Sequence, residues 1–177
     1  MTVASRIHSL RGRLRRSLGA AYWTSVVRGQ VAECGPGLKV NFPSEVNGGR
    51  FVRLGANVHF NGMLIYGGGG LTIGDNFHSG RDCRIITENH RYEGAEELPY
   101  DSQKVKRPVT IGDNVWFGDS VTVLPGASIG DGAVLGACAV VTGPVPALAV
   151  FAGNPAREIK RRDAEEYRRL VEERRFH

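Results

Sequence analysis

No run of apolar residues in this chain approaches the length of a bilayer span, which excludes a bundle of transmembrane helices. Cysteine is scarce. Cys34, Cys83 and Cys138 stand far apart with no Cys-x-x-Cys pair, so neither a disulfide framework nor a thiolate zinc site is available. They read as small apolar side chains of a protein kept in a reducing cytoplasm. Aromatic residues make up only 8%, against 24 glycines, a balance that suits many tight turns and small inward side chains. Acidic residues are missing from residues 1–30, which hold six arginines. The middle of the chain is net acidic, so the overall charge of +5 gathers at the ends and offers no single basic face for nucleic acid. The glycine run Gly67–Gly70 is not followed by Lys-Ser or Lys-Thr, which excludes a phosphate-binding loop there. Ser17–Val27 has the outline of a secretory signal. Polar and aromatic residues interrupt it and no small-residue cleavage site follows, so it is read as part of the mature protein.

What is present is a period of six. Steps of six from Ile111 reach Phe117, Val123, Ile129, Leu135, Val141 and Ala147, all apolar. Four residues after the first six of these come Val115, Val121, Ala127, Ala133, Ala139 and Val145, all small or β-branched. Such a period fits neither an α-helix nor an ordinary half-buried strand. It predicts short strands and turns wound around a prism, with one apolar side chain per six stacked inside upon the next coil. Leu54, Val58, Ile73, Phe77, Ser79 and Ile85 extend the pattern backward. The 19-residue step from Leu54 to Ile73 has one residue too many, which the glycine run is expected to absorb.

Residues 91–108 break the period and are expected to project as a loop, a common seat of function on a rigid scaffold. Ile7, Leu10, Leu14 and Leu18 recur at helical spacing among arginines, and Asp163–Phe176 is also helical in pattern. The predicted layout is a basic helical segment over 1–32, a β-solenoid over 33–155 and a C-terminal helix over 156–177, with helices closing the ends of the prism. The arginine-rich helix over residues 1–28 would serve as a cap, an acceptor contact or a peripheral contact with an anionic membrane surface.

Ile111-Gly-Asp-Asn-Val-Trp-Phe-Gly, Pro125-Gly-Ala-Ser-Ile-Gly and Gly153-Asn-Pro-Ala-Arg together resemble the hexapeptide-repeat acyltransferases, and most of all the galactoside, maltose and polysaccharide O-acetyltransferases. The resemblance spans roughly residues 50–162. It implies an all-β solenoid in the form of a left-handed parallel β-helix, an exception to the usual right-handed crossover. It also implies a cytoplasmic homotrimer with active sites between neighbouring prisms, and acetyl-CoA as co-substrate without a metal.

On that footing His90, at the edge of the loop and in an outward slot, is the candidate general base, since imidazole titrates near working pH. Asn61 matches an acceptor-binding Asn and Trp116 a cleft-lining Trp. Glu88 and Glu93 are candidates to orient His90 or to contact a sugar. Ala137 and Thr142 match backbone contacts to CoA, and Arg157 and Lys160 match cations that approach its phosphates. Gly143 and Asp119 depart from residues common among relatives. The expected reaction is direct transfer of acetyl from acetyl-CoA to a sugar or glycan hydroxyl. Transfer to an amino sugar or an antibiotic uses the same fold. A metal-dependent reading, like the γ-class carbonic anhydrases, would need three histidines around a zinc shared across a subunit interface, and the available ones are His59, His78 and His90. A non-catalytic scaffold would need none of these side chains. The sequence names no particular acceptor.

Overall fold

A computed structural model describes residues 18–177. The part of the arginine-rich segment before residue 18, with Ile7, Leu10 and Leu14, lies outside the described residues. Helix α1 (18–30) precedes a β-solenoid. The first coil carries β1 (Glu33–Cys34), β2 (Lys39–Val40) and β3 (Glu45–Asn47). The second carries β4 (Val52–Leu54) and the long β5 (His59–Tyr66), and the third β6 (Leu71–Ile73) and the long β7 (His78–Ile86). A hairpin of β8 (Glu88–His90) and β9 (Lys104–Lys106) interrupts the winding. It resumes with β10 (Val109–Ile111), β11 (Trp116–Phe117) and β12 (Thr122–Val123), then β13 (Ser128–Ile129), β14 (Val134–Leu135) and β15 (Val140–Val141). The chain ends with β16 (Ala149–Ala152), β17 (Arg157–Arg161) and α2 (Ala164–Glu172).

Strands of successive coils pair in parallel and make three faces. Face A stacks β1, β4, β6, β10 and β13. Face B stacks β2, the first halves of β5 and β7, then β11, β14 and β16. Face C stacks β3, the second halves of β5 and β7, then β12 and β15. The six-residue pattern explains the interior. Ile111, Phe117, Val123, Ile129, Leu135 and Val141 are buried, and so is every small residue predicted between them. Phe77 and Phe117 meet edge to face at 4.9 Å in the middle of the prism.

Ala147 departs from this pattern: it is exposed. The last coil is shortened, and Val145 rather than Ala147 stacks on Ile129. Leu135 consequently pairs with Phe151, a step of sixteen. The glycine run does hold extra length. Ile65 to Leu71 spans six residues where the equivalent Val123 to Ala127 spans four, while Phe60 to Ile65 is one shorter than Phe117 to Val123. The net excess is the single residue seen in the sequence.

The Gly-Asp-Asn triplets form the corner between faces A and B. The Asp75 carboxylate accepts from Ala56 N, Asp113 from Asp75 N, and Asp131 from Asp113 N, at 2.7–2.9 Å. Beside this ladder the Asn57 amide donates to Asn76, and Asn76 to Asn114, each at 3.0 Å. All three asparagines have φ near +55°, a left-handed conformation that Asn tolerates. The preceding glycine is required by close approach. A Cβ on Gly112 would lie 2.0 Å from Asp131 Oδ1.

Helix α1 covers the first coil. Its Val27 is fully buried and its Thr24 hydroxyl accepts from Val40 N at 2.9 Å. The other end is closed differently from expectation. The C-terminal segment begins with a strand, β17, which pairs antiparallel with β16 and satisfies that open edge. Helix α2 is capped by Asp163, whose carboxylate accepts from Glu166 N at 2.7 Å. It lies along the A/B corner, where Tyr167 OH accepts from Asn114.

Candidate active site

The corner between faces C and A carries the candidate site. It stacks Gly67–Gly70, the hairpin that leaves after Thr87, the turn at Leu124–Gly126 and the turn at Thr142–Pro144. The hairpin forms because Glu88, Asn89 and His90 pair with Lys106, Val105 and Lys104. His90 is thereby held at the mouth of the loop, exposed, with the Tyr100 ring stacked on it at 3.9 Å and 23°. Among the described residues neither ring nitrogen of His90 has a hydrogen-bond partner. A pocket of about 370 Å³ opens beside it, lined by His90, Tyr92, Glu93, Arg107, Pro125 and Thr142 among others. Thr142 also lines a second hollow of about 400 Å³ with Pro144, Phe151 and Arg157. The two hollows therefore adjoin at Thr142 and run from His90 toward the last coil.

This brings together four of the sequence-predicted residues: His90, Glu93, Thr142 and Arg157. The others lie elsewhere on the same chain. Glu88 is engaged by Lys104 and sits over Gly68, where a Cβ would strike its carboxylate. Asn61 is at the B/C corner, where its side chain accepts from Asn41 at 2.9 Å and donates to Ser79 O at 2.7 Å. Ala137 is exposed at that corner too, in a turn hydrogen-bonded to residues 151–153. Trp116 is 55% exposed on face B, opposite His78 and Val134. Lys160 is exposed on β17 opposite Val150.

The loop contributes residues that the repeat could not reveal. Asp101 is buried, ion-paired with Arg91, and accepts from Gln103 N at 2.9 Å. The Arg91 guanidinium holds the Asp101 carboxyl below the usual carboxylate range. Tyr100 and Arg107 were equally unmarked, because a segment outside the period carries no facing information. Their only signal was their position in a loop that breaks the pattern.

Two other groups bear on the chemistry. Cys83 is fully buried and burial pushes its thiol up to about 11, so it is no nucleophile at neutral pH. His59 and His78 do stack on adjacent coils, with ring centroids 4.1 Å apart. His90 stands at a different corner from them, so the three do not converge on one ion within a chain. Among the described residues no group of three or more His, Cys, Asp or Glu could hold a metal. Burial draws the His59 pKa down to about 4, aided by the charges of His78, Lys39 and His177, and burial with the charges of His177 and Lys39 lowers that of His78.

A family profile described as bacterial transferase hexapeptide (six repeats) matches residues 108–143. A Saccharomyces cerevisiae protein that bears an acetyltransferase name is 32% identical over 139 residues, covering 78% of this chain and 70% of the relative. The chain belongs to the hexapeptide-repeat acetyltransferase family. Within that family the galactoside O-acetyltransferase of Escherichia coli is 33% identical over 137 residues, 77% of this chain. The chain spans 66% of that enzyme's length, just under two thirds. A galactoside acetyltransferase solved in complex with coenzyme A superposes with a TM-score of 0.73 at 27% identity, covering 94% of each chain. This family member thus shares the parallel solenoid of a protein whose structure holds coenzyme A. No helix among its described residues is long and apolar enough to cross a membrane.

Proposed function

We propose that this protein transfers an acetyl group from acetyl-CoA to a hydroxyl of a sugar or glycan, with His90 as general base. The observation that carries the reading is the pocket at the C/A corner. There an imidazole whose ring nitrogens have no hydrogen-bond partner among the described residues lies beside a hollow that continues past Thr142 toward Arg157. A sugar acceptor is supported by the names of the galactoside relatives.

In the proposed reaction the acceptor oxygen attacks the thioester carbonyl as His90 takes the hydroxyl proton. The tetrahedral intermediate collapses with cleavage of the carbon–sulfur bond. The proton then passes from His90 to the departing thiolate, so that free CoA and the ester leave. Catalysis requires only direct transfer in a ternary complex, and the buried Cys83 takes no part. Thr142 flanks the path of the pantetheine arm, and Arg157 offers a cation for the phosphates, with Lys160 further out on β17. Glu93 lies where it can meet an acceptor hydroxyl.

We further propose a homotrimer. Asn61 and Trp116 lie on corner B/C and face B, away from His90 on the same chain. A cleft between two copies would bring the B side of one against the C/A corner of the other and unite them. Their separation within one chain, and the large exposed Trp116, support that arrangement.

The test is thiol release from acetyl-CoA against a panel of sugars, nucleotide sugars and glycan fragments. His90→Ala is expected to lower kcat by roughly 10²–10⁴-fold, the usual size of a lost general base. Turnover near wild type in this variant would remove His90 from the role. No thiol release with any acceptor, together with no CoA binding, would overturn the acyltransferase reading.

A further inference from the structure

The imidazole of His90 is turned about a torsion that has no sharp minima, so something outside the residue must set the plane of the ring. Its nitrogens have no hydrogen-bond partner among the described residues. The carboxylates near it do not supply one: Glu88 is drawn to Lys104, and Glu93 lines the pocket without bonding the ring. The Tyr100 ring lies against it instead, nearly parallel at 3.9 Å. A stacked aromatic restrains the plane of its neighbour and leaves both nitrogen edges open to a substrate.

Tyr100 itself is 45% exposed. Its neighbour Asp101 is the opposite case, 6% exposed and fully engaged. Arg91 Nε donates to its Oδ2 at 2.8 Å, with a second bond from Nη2. Gln103 N donates to Oδ1 at 2.9 Å, and Glu96 N to Oδ2 at 3.3 Å. The backbone closes the same ring of contacts, Arg91 N donating to Gln103 O at 3.0 Å and Asp101 N to Arg91 O at 3.3 Å. Arg91 directly follows His90, so one ion pair ties the segment that carries His90 to the segment that carries Tyr100. A buried carboxylate is retained only when it is paired and hydrogen-bonded. In this loop its Arg91 bonds hold residues 91 and 101 together, and its bonds from Glu96 N and Gln103 N fix the backbone on either side of Tyr100.

We infer that the Arg91–Asp101 pair and the Tyr100 ring form a positioning unit for His90: the ion pair fixes the loop, the loop presents Tyr100, and the stack sets the imidazole plane. Tyr100 and Asp101 are positioning residues, acting through His90. This rests on the reading of His90 as the base. It adds that the role assigned elsewhere to a carboxylate beside the histidine is taken here by an aromatic face.

The test combines kinetics with a spectroscopic readout on the full chain. Tyr100→Leu is expected to lower kcat about tenfold with KM for acetyl-CoA little changed, while Tyr100→Phe keeps the stack and stays within about twofold of wild type. Asp101→Asn is expected to lower kcat in the same way. The double variant Tyr100→Leu/Asp101→Asn should fall no further than the worse single, because both act on one contact. Proton NMR of the five histidines, assigned with His90→Gln, reads the stack without any activity. The His90 ring protons should move downfield in Tyr100→Leu and in Asp101→Asn but hold in Tyr100→Phe. Unmoved His90 signals, or fully additive losses in the double variant, would overturn the inference. If His90→Gln retains turnover, the base reading itself fails, whereas its loss alongside wild-type rates in Tyr100→Leu and Asp101→Asn would sink only the positioning unit.

Discussion

Acidification should destabilise this protein through face B. The Lys39, His59, His78 and Trp116 side chains lie in register down that face, with His177 against His78. His59 is drawn from 6.5 down to about 4, chiefly by burial, with His78, Lys39 and His177 adding positive charge against it. His78 is lowered for related reasons, and its Nε2 is buried without a partner. A lowered histidine means that the unfolded chain binds the proton first. Stability from this source is therefore complete above the unfolded value of 6.5 and is lost as pH falls toward about 4. Linkage gives about 2 kcal/mol lost by about pH 5 for a wholly shielded His59, which solvent screening of this partly exposed ring cuts to about 1 kcal/mol. The assay is urea unfolding at about pH 7.5 and about pH 5, at one protein concentration, for wild type and for His59→Gln/His78→Gln. Carboxylates titrate alike in both proteins and cancel in the difference. The wild type should lose at least about 1 kcal/mol more than the double variant over this interval. Equal losses in the two proteins would show that these histidines do not carry the acid sensitivity.

The corner ladder offers a second check. Gly112→Ala drives a Cβ to 2.0 Å from Asp131 Oδ1, and should cost about 1–3 kcal/mol in urea unfolding through overpacking and a displaced hydrogen bond. The cost should shrink in an Asp131→Ala background, where the obstructing carboxylate is gone. In the core, Phe117→Ala empties a fully buried site packed on Phe77 and should cost about 3–5 kcal/mol by the same measurement. At the proposed cofactor path, Thr142→Trp fills the junction of the two hollows. It is expected to raise the KM for acetyl-CoA by about tenfold or more while the circular dichroism stays that of wild type.

How much was legible in the residues alone differs by region. The period of six identified the inward side chains from Ile111 to Val141, with Leu54, Val58, Ile73, Phe77, Ser79 and Ile85 before them, because each must bury its face on the coil beneath it; it missed Phe60, Met63, Ile65 and Leu71, where the spacing shifts. It also marked the loop, since 91–108 offers no such face, and it placed His90 outward beside that loop. The period failed at Ala147, where a shortened coil let Val145 take the inward position. It could say nothing of Tyr100 or Asp101, whose contacts arise within the loop's own fold.

Where its spacing is kept, a repeat therefore determines by itself which way a side chain points, because inward and outward are set by local spacing and by the need to bury apolar surface. It does not determine which outward residues become neighbours. That depends on the offset between coils, which here changes from 20 to 19 to 38 to 18 residues as turns lengthen and the hairpin intervenes. Only the tertiary structure counts those offsets. It sets Trp116 over His78, sends Asn61 to another corner, and stacks His90, Pro125 and Thr142 around one pocket, because backbone hydrogen bonds between coils, rather than distance along the chain, decide what lies above what.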